Sequence, residues 1–202
     1  MKVAVLASGT GTNLQALLDQ VHGREGVEVV AVASDKPDAP ALERARRAGI
    51  VAAVFSGGEF GAREERDRAM ADWLAAEGVE LVVLAGYMQL LSSEFLARFP
   101  DRVINVHPAL LPAFPGLGAV EQALAYGVKV FGVTVHFVDG GVDSGPVILQ
   151  RAFEVPGAAD PAAVLERLHP IEHELLPEAV RLIARGAVRF DPANPRRVVI
   201  ER

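Results

Sequence analysis

Apolar runs of strand length alternate along the chain with longer amphipathic stretches, and runs such as Leu81–Ala85 and Val147–Leu149 are purely aliphatic. This alternation predicts a parallel sheet covered by helices. The expected strands lie near residues 2–8, 27–34, 51–55, 80–85, 102–105, 130–138 and 147–154. The expected helices lie near residues 12–21, 40–49, 61–77, 92–98, 118–126 and 161–184, the last opening at Asp160-Pro161 with a capping residue followed by proline.

The last two of these strands are joined only by residues 139–146, a glycine-rich stretch. A parallel crossover needs about a dozen residues or more, so this pair is expected to be antiparallel. A closing Val198–Ile200 predicts a short edge strand. The predicted fold class is α/β: an open, mostly parallel twisted sheet with helices on both faces and an antiparallel C-terminal strand pair.

Length and composition narrow the class of protein. A chain of 202 residues suits one well-filled core, so a single domain over residues 1–202 is expected. The longest apolar runs fall far short of the ~20 residues of a membrane span. The apolar N-terminal run is too short for a signal peptide, which makes a cytoplasmic location the default expectation.

Charge and cysteine content exclude further classes of function. A net charge of −6 argues against a broad nucleic-acid surface, which needs clustered Lys and Arg, but leaves room for one small anionic ligand. The chain has no cysteine, so disulfides, thiolate catalysis and cysteine-ligated zinc are excluded.

A glycine-rich turn, Ser8–Asn13, separates the first predicted strand from the first predicted helix. Backbone N–H groups and the helix dipole make such a turn an anion site, most naturally for a phosphate. A dinucleotide fingerprint would need a third glycine where Asn13 stands, which favours a monophosphate. The alternative is that the glycines serve only the tight turn.

A second candidate lies in Asn105–Gly116, at the carboxyl end of a predicted strand, where ligands of open α/β sheets bind. The Asn105 amide and the His107 imidazole could each stabilise a developing oxyanion. Prolines at 108, 112 and 115 stiffen the loop, which suits either a preorganised site or a structural crossover.

The loop after strand 130–138 carries two aspartates. A carboxylate beside His107 would orient its ring and raise its pKa, and Asp143, close to Gly145 and Pro146, is the better candidate. Asp139 is interpreted as the residue that initiates an Asp-Gly-Gly turn. His136 is interpreted as a structural histidine within the strand, and His22 and His169 as surface helix residues.

Two further groups are ambiguous. Arg63 could reach a phosphate from a helix start, although a solvated charged face explains its neighbourhood equally well. Glu172, His173 and Glu174 could suggest a metal, but the HExxH spacing is missing, so no metal is expected.

Taken together, the motifs resemble those of the phosphoribosylglycinamide formyltransferases, a family of folate-dependent formyltransferases. The resemblance covers nearly the whole chain, from Val3–Gln15 through Leu81–Met88 to Ile171–His173. The segment Asn-x-His-Pro-x-Leu-Leu-Pro at 105–112 and the segment from Gly132 to Pro146 are shared by folate-dependent formyltransferases generally. The phosphate loop with Asn13 narrows the resemblance to the enzymes that act on glycinamide ribonucleotide.

The resemblance implies a Rossmann-like formyltransferase fold with a phosphate-binding half at 1–100 and a folate-binding and catalytic half at 101–202. It implies formyl transfer from 10-formyltetrahydrofolate, the co-substrate, to the glycinamide amine of the ribonucleotide in purine biosynthesis. Asn105 and His107 would stabilise the tetrahedral oxyanion while Asp143 assists proton transfer.

The resemblance also implies the binding residues. For the ribonucleotide these are Gly11, Thr12, Asn13 and Glu172. For the folate they are Arg63, Met88, Gln89, Leu90, Leu91, Asn105, Asp139, Gly140, Gly141 and Asp143. Small molecules are the expected partners; a homodimer is left open.

The sequence departs from the expected pattern at two positions. Gln89 stands where a number of relatives carry arginine, which puts details of the folate contacts in doubt. Gly118 stands where many relatives carry a polar residue, often histidine, near the catalytic aspartate. Neither departure touches Asn105, His107 or Asp143.

Three other functions stay open. A 10-formyltetrahydrofolate hydrolase would share the three catalytic residues but is expected to carry an additional N-terminal domain, whereas the first strand here begins at Lys2. A tRNA formyltransferase is expected to add a basic C-terminal domain. A non-catalytic nucleotide-binding protein would use only Ser8–Asn13.

Overall fold

The computed structural model of the chain describes residues 1–157 and 160–201. The elements in chain order are β1 (Lys2–Leu6), α1 (Thr12–Gln20), β2 (Glu28–Ser34), α2 (Pro40–Arg47), β3 (Val51–Val54), a 3-10 turn (Gly57–Glu59), α3 (Arg63–Ala76), β4 (Leu81–Leu84), α4 (Ser93–Arg98), β5 (Val103–His107), α5 (Ala119–Tyr126), β6 (Val130–Phe137), β7 (Val147–Glu154), α6 (Pro161–Ala184), β8 (Val188–Asp191) and β9 (Asn194–Ile200). The predicted strands and helices are confirmed, with boundaries that differ by a few residues.

Two compact units make up the chain, Met1–Asn105 and Val106–Arg202. The division lies five residues after the boundary expected at 100/101. The single domain and the roles assigned to the two halves stay predictions.

The first unit is a parallel sheet with the strand order β3-β2-β1-β4-β5. Val3 pairs with Val29 on one side and with Leu81 on the other, which makes β1 an interior strand. The aliphatic side chains of β4 are all buried, the pattern of a strand covered on both faces.

Helix α3 is the longest helix of the first unit, and its buried side chains include Met70 and Leu74. Trp73, the only tryptophan of the chain, lies with its ring centroid 5.6 Å from that of Phe55. Arg66, on the same helix, is only 4% exposed although its side chain is charged.

The second unit has the strand order β6-β7-β9-β8. Strands β6 and β7 are antiparallel, from Val130↔Glu154 to His136↔Val147, as predicted. The register shifts between Val135 and His136, which marks a β-bulge at the end of β6.

The prediction of an edge strand at 198–200 is partly wrong. That segment belongs to β9, which pairs in parallel with β7 at Val147↔Arg197 and antiparallel with β8, the outer strand. Strand β8 is only four residues long, too short for its alternating pattern to stand out. An Asx turn joins the two strands, because the Asp191 side chain accepts a hydrogen bond from the amide of Ala193 at 2.8 Å.

Helix α6 begins where the sequence predicts. The Asp160 carboxylate accepts a hydrogen bond from the amide of Ala162 at 2.9 Å, and Pro161 occupies the first helical turn. Within residues 1–157 and 160–201, every helix is either too short or too polar to cross a membrane.

Gly145 marks a close approach of the loop 138–146 to the end of β6. A Cβ at this position would lie 1.8 Å from the carbonyl oxygen of Phe137, a backbone atom that cannot rotate away. Gly140, in the same loop, has no atom within 4 Å of the corresponding position.

We therefore expect Gly145→Ala to lower the free energy of unfolding by roughly 1–3 kcal/mol or more, because the loop must shift away from β6. Urea denaturation followed by circular dichroism measures the change. The matched control Gly140→Ala should stay within about 0.5 kcal/mol of the wild type. Equal stabilities of the two variants would contradict the close approach.

Candidate active site

The loop between β1 and α1 presents a helix N-terminus in the first unit. Gly11 caps α1 in the left-handed region at φ 73°, and a Cβ there would lie 2.8 Å from Cβ of Ala41. The position therefore suits glycine for both conformation and space. The first-turn amides of a helix have no intrahelical acceptor, so Thr12 and Asn13 lie where an anion is favoured.

Arg44 supports this loop from helix α2. Its Nε donates to the carbonyl oxygen of Thr10 at 2.8 Å, and its Nη1 donates to Oε1 of Gln15 at 3.0 Å. The guanidinium holds the loop in place and adds positive charge beside it. The glycine motif alone does not indicate Arg44, since this residue lies 34 positions from Thr10.

The predicted folate segment follows β4 in the first unit. Residues 85–92 form neither helix nor strand. Met88 and Leu90 are 53% and 58% exposed, so the segment displays two apolar side chains to solvent. Gln89 is held at both ends of its amide, donating to Oδ2 of Asp35 at 2.9 Å and accepting from Nη1 of Arg66 at 3.2 Å.

Arg63 lies at the start of α3 with an exposed guanidinium paired to Glu64 at 3.1 Å. A hydrogen bond from the backbone amide of Glu64 and then one from Arg63 lower the pKa of the Glu64 carboxyl. The assignment of Arg63 to the folate stays a prediction.

Strand β5 carries Asn105 and His107. Side chains two residues apart on a strand point to the same face, so both lie on one side of β5. His107 is only 4% exposed. Its Nε2 lies 2.9 Å from the carbonyl oxygen of Phe114, in the proline-containing loop that follows.

That loop is held by a polar side chain from β6. The hydroxyl of Thr134, fully buried, donates to the carbonyl oxygen of Ala109 at 2.7 Å and accepts from the amide of Leu111 at 3.1 Å. Gln150 donates to the Leu111 carbonyl at 2.9 Å. These bonds fix the backbone next to His107, which is what a preorganised site requires.

Asp143 is the centre of the polar cluster in the second unit. Its Oδ2 lies 3.3 Å from Nδ1 of His107, as the sequence predicts, and accepts from the amide of Gly116 at 2.8 Å. Its Oδ1 lies 3.6 Å from Nε2 of His136, at the bulge of β6. His136 is therefore a cluster residue that the sequence interpretation missed.

The other nitrogens of the two histidines face carbonyl oxygens. Nε2 of His107 lies 2.9 Å from Phe114, and Nδ1 of His136 lies 2.7 Å from Phe137. A carbonyl oxygen only accepts, so both of these nitrogens carry protons. Nδ1 of His107 and Nε2 of His136 face the two oxygens of the Asp143 carboxylate, at 3.3 and 3.6 Å. The two imidazoles and the carboxylate are therefore placed to share protons.

Burial raises the pKa of Asp143, but hydrogen bonds from His136 and the Gly116 amide, together with the charges of both histidines, outweigh it. The net result is a pKa below the ordinary value of 3.8. Asp143 also has φ 49°, a left-handed conformation that aspartate tolerates better than most residues.

Asp139 forms the predicted turn at the start of the same loop. Its Oδ1 accepts from the amide of Gly141 at 3.0 Å and from the hydroxyl of Ser144 at 2.5 Å. These bonds order the loop that carries Asp143; contact of residues 139–141 with folate stays a prediction.

Glu172 is buried on helix α6, where Nδ1 of His169 lies 3.2 Å from its Oε2. The hydrogen bond that His169 donates to the Glu172 carboxylate raises the pKa of His169 above its ordinary value, although burial opposes it. Burial lowers the pKa of His173. His169 is an exposed helix residue, as predicted. The interpretation of His22 as a surface helix residue is wrong, because it lies half-buried after the end of α1 and its Nδ1 accepts from the amide of Val29 at 3.1 Å. Among the described residues, no three histidine, aspartate or glutamate side chains are placed to hold a metal ion.

Comparison with known proteins gives consistent results. A sequence model of the family described as formyl transferase matches residues 1–180. Phosphoribosylglycinamide formyltransferase of Mycobacterium tuberculosis (strain ATCC 25618 / H37Rv) is 43% identical over 93% of this chain and 86% of its own length. The enzyme of the same name from Bacillus subtilis (strain 168) is 38% identical over 89% of this chain and 93% of its own length.

Larger relatives and solved structures also match. The chain spans about 14% of the trifunctional purine biosynthetic protein adenosine-3 of Drosophila melanogaster, with 42% identity over 95% of this chain. The crystal structure of glycinamide ribonucleotide transformylase 1 from Symbiobacterium toebii superposes with a TM-score of 0.95 at 48% identity, covering 100% of this chain and 94% of that chain. The predicted α/β fold class is confirmed by this likeness.

The lowered pKa of Asp143 predicts how its contribution to stability depends on pH. The ionised form is favoured by folding, so the contribution is complete above the ordinary value of 3.8 and is lost as pH falls through the lower folded-state pKa. We expect the difference in unfolding free energy between wild type and Asp143→Asn to shrink between about pH 5 and pH 2. Denaturant titrations at several pH values measure it; a constant or growing difference would contradict the assigned shift.

Proposed function

Because the chain belongs to the formyl transferase family, we propose that it transfers the formyl group of 10-formyltetrahydrofolate to the glycinamide amine of 5'-phosphoribosylglycinamide, a step of de novo purine biosynthesis. The family predicted from the sequence is confirmed by the match over residues 1–180. The names of the Mycobacterium and Bacillus relatives, each aligned over most of its length, support this substrate pair. The observation that carries the mechanism is the contact of His107 with Asp143 at 3.3 Å.

The reaction forms one carbon–nitrogen bond and breaks another. The substrate amine attacks the formyl carbon, the formyl oxygen becomes an oxyanion, and the bond to N10 of the folate then breaks. The amine loses a proton and N10 gains one, so the reaction needs no net oxidant, and the proposed mechanism requires no metal. An amide donor at Asn105 and an imidazole donor at His107 would stabilise the oxyanion.

To stabilise the oxyanion, Nε2 of His107 must exchange its present hydrogen-bond acceptor for the formyl oxygen. Its Nε2 donates to the carbonyl oxygen of Phe114, and a formyl oxygen that replaced that carbonyl would accept the same proton. Phe114 lies at φ 55°, a strained conformation for an aromatic residue. This exchange links oxyanion formation to a movement of the loop.

Asp143 would then accept and release the proton that passes from the amine to N10. The carboxylate lies 3.3 Å from Nδ1 of His107, and a carboxylate beside an imidazole suits the uptake of a proton from the amine and its return to N10. We assign His136 a supporting role, because its contact with Asp143 at 3.6 Å is longer than that of His107.

The binding of each substrate is assigned to residues of the sequence motifs. We assign the substrate phosphate to Gly11, Thr12 and Asn13, whose helix N-terminus favours an anion. We assign the ribose or glycinamide end to Glu172, a buried carboxylate. The folate is assigned to Met88–Leu91, to residues 139–143 and to Arg63, and the exposure of Met88 and Leu90 supports an apolar contact with the pterin ring.

We expect the purified protein to release tetrahydrofolate from 10-formyltetrahydrofolate only when the ribonucleotide is present, with one formylated nucleotide formed for each folate released. Absorbance follows the folate, and chromatography follows the nucleotide. Release of folate and formate without the ribonucleotide would indicate the hydrolase instead. Ligand binding with no turnover would indicate the nucleotide-binding protein.

We expect Asp143→Asn to lower kcat by about 100-fold or more while KM for both substrates changes little, because the carboxylate acts in the transition state. Steady-state kinetics at saturating folate measure the loss. Asp101→Asn is the matched control, since Asp101 is an exposed aspartate with a similar φ of 54°. A kcat for Asp143→Asn equal to that of the control would remove Asp143 from the mechanism.

A further inference from the structure

A buried ion pair lies in the first unit, outside the residues that the proposed reaction uses. Nη2 of Arg66 lies 2.6 Å from Oδ1 of Asp67, and the two side chains are 4% and 0% exposed. Nε of Arg66 donates to the same oxygen at 2.9 Å. Burying two charges costs several kcal/mol per ion before any attraction is counted, so a pair like this is weak evidence of a stabilising role.

The other hydrogen bonds of the pair reach one irregular segment, residues 85–92. The Arg66 guanidinium donates to Oε1 of Gln89 and to the carbonyl oxygen of Leu90, each at 3.2 Å. Oδ2 of Asp67 accepts from the amide of Ser92 at 2.6 Å. Adjacent residues of α3 therefore hold the segment at three points.

The other end of the segment is anchored as well. The amide of Met88 donates to the hydroxyl of Ser8 at 2.9 Å, and Ser8 is only 4% exposed. Backbone groups of Met88, Leu90 and Ser92, every second residue, are thus bound inward. At Met88 and Leu90 the backbone is bound inward while the side chain is 53% and 58% exposed, so the anchoring leaves these two apolar side chains at the surface.

The charged side chains of this cluster are Arg66, Asp67 and Asp35. Asp35 joins the cluster through Gln89, whose Nε2 donates to its Oδ2 at 2.9 Å. Tyr87 adds no charge, because burial raises the pKa of its hydroxyl to about 12. Arg66 therefore binds the Asp67 carboxylate and the Leu90 carbonyl directly and is linked to Asp35 through Gln89.

We propose that Arg66 is a positioning residue for the folate: from α3 it fixes the backbone of residues 88–92, so that Met88 and Leu90 present a preformed apolar surface to the pterin. This inference rests on the proposed function, which assigns the folate to Met88–Leu91. Arg66 does not touch the ligand in this scheme. It acts on binding because a segment that is already ordered loses less conformational freedom when the folate arrives.

The same proposal explains Gln89. Its amide is held at both ends by protein side chains, Arg66 and Asp35, so it is part of the anchor. A purely structural pair would be expected to affect melting temperature alone. A positioning pair affects the folate and leaves the ribonucleotide unchanged.

The test uses the double variant Arg66→Met/Asp67→Asn, which removes both charges of the ion pair together, while Asp35 and Gln89 are left in place. Gln89→Ala is a milder second variant that leaves the ion pair intact. Arg68→Met is the matched control: Arg68 lies on the same helix, exposed, and pairs with Glu94 at 3.0 Å. Each protein is tested for kcat and the KM values for both substrates, for the Kd for tetrahydrofolate by calorimetry, and for thermal unfolding.

For the double variant, we expect the KM for the formylated folate and the Kd for tetrahydrofolate to rise about tenfold or more, because a misplaced contact surface binds poorly. The KM for the ribonucleotide should change less than about twofold, because Gly11, Thr12 and Asn13, the residues assigned to its phosphate, are left unchanged. Gln89→Ala should shift the folate constants in the same direction by a smaller factor. Arg68→Met should match the wild type.

Unchanged folate constants in a folded double variant, or in Gln89→Ala if the double variant does not fold, would overturn the proposal. An equal rise in both KM values would also overturn it, since that indicates general disorder. A wild-type protein that neither binds tetrahydrofolate nor transfers the formyl group would instead refute the proposed function, so the two failures are distinguishable.

Discussion

The carboxylate of Asp143 lies between two imidazoles, each of which uses its other nitrogen on a backbone carbonyl oxygen, and the geometry of the second unit is organised around that contact. The bulge at the end of β6 directs His136 toward the carboxylate. The absence of a side chain at Gly145 lets the loop 138–146 pack against the end of β6. Because carbonyl oxygens only accept, Nε2 of His107 and Nδ1 of His136 are the nitrogens that donate to the backbone. The same contacts fix the orientation of both rings toward Asp143.

Irregular backbone is held by polar side chains in each unit, but by different chemistry. In the second unit neutral groups do it: Thr134 and Gln150 fix the loop after His107. In the first unit a buried ion pair fixes the segment after β4. Burying hydrogen-bonded neutral groups costs little desolvation free energy. Burying an ion pair costs much more, and the attraction offsets this cost only when the two charged groups are well aligned.

Much of this molecule could be predicted from the sequence, because hydrophobic periodicity fixes elements and short motifs stay local. The order of strands and helices, the antiparallel β6–β7 pair and the contact of His107 with Asp143 are examples. What escaped prediction depends on tertiary contact. His136 alternates with apolar neighbours like any core residue, and only a bulge brings it to Asp143. Arg66 looks like part of a solvated charged run until its burial is known.

The position of Trp73 has a practical consequence. It is the only tryptophan of the chain, and it lies on α3, the helix that also carries Arg66, beside an aromatic neighbour, Phe55. Indole emission responds to the polarity and mobility of its surroundings. The molecule thus contains a single native optical reporter on that helix, and changes in its packing can be followed in real time without any label.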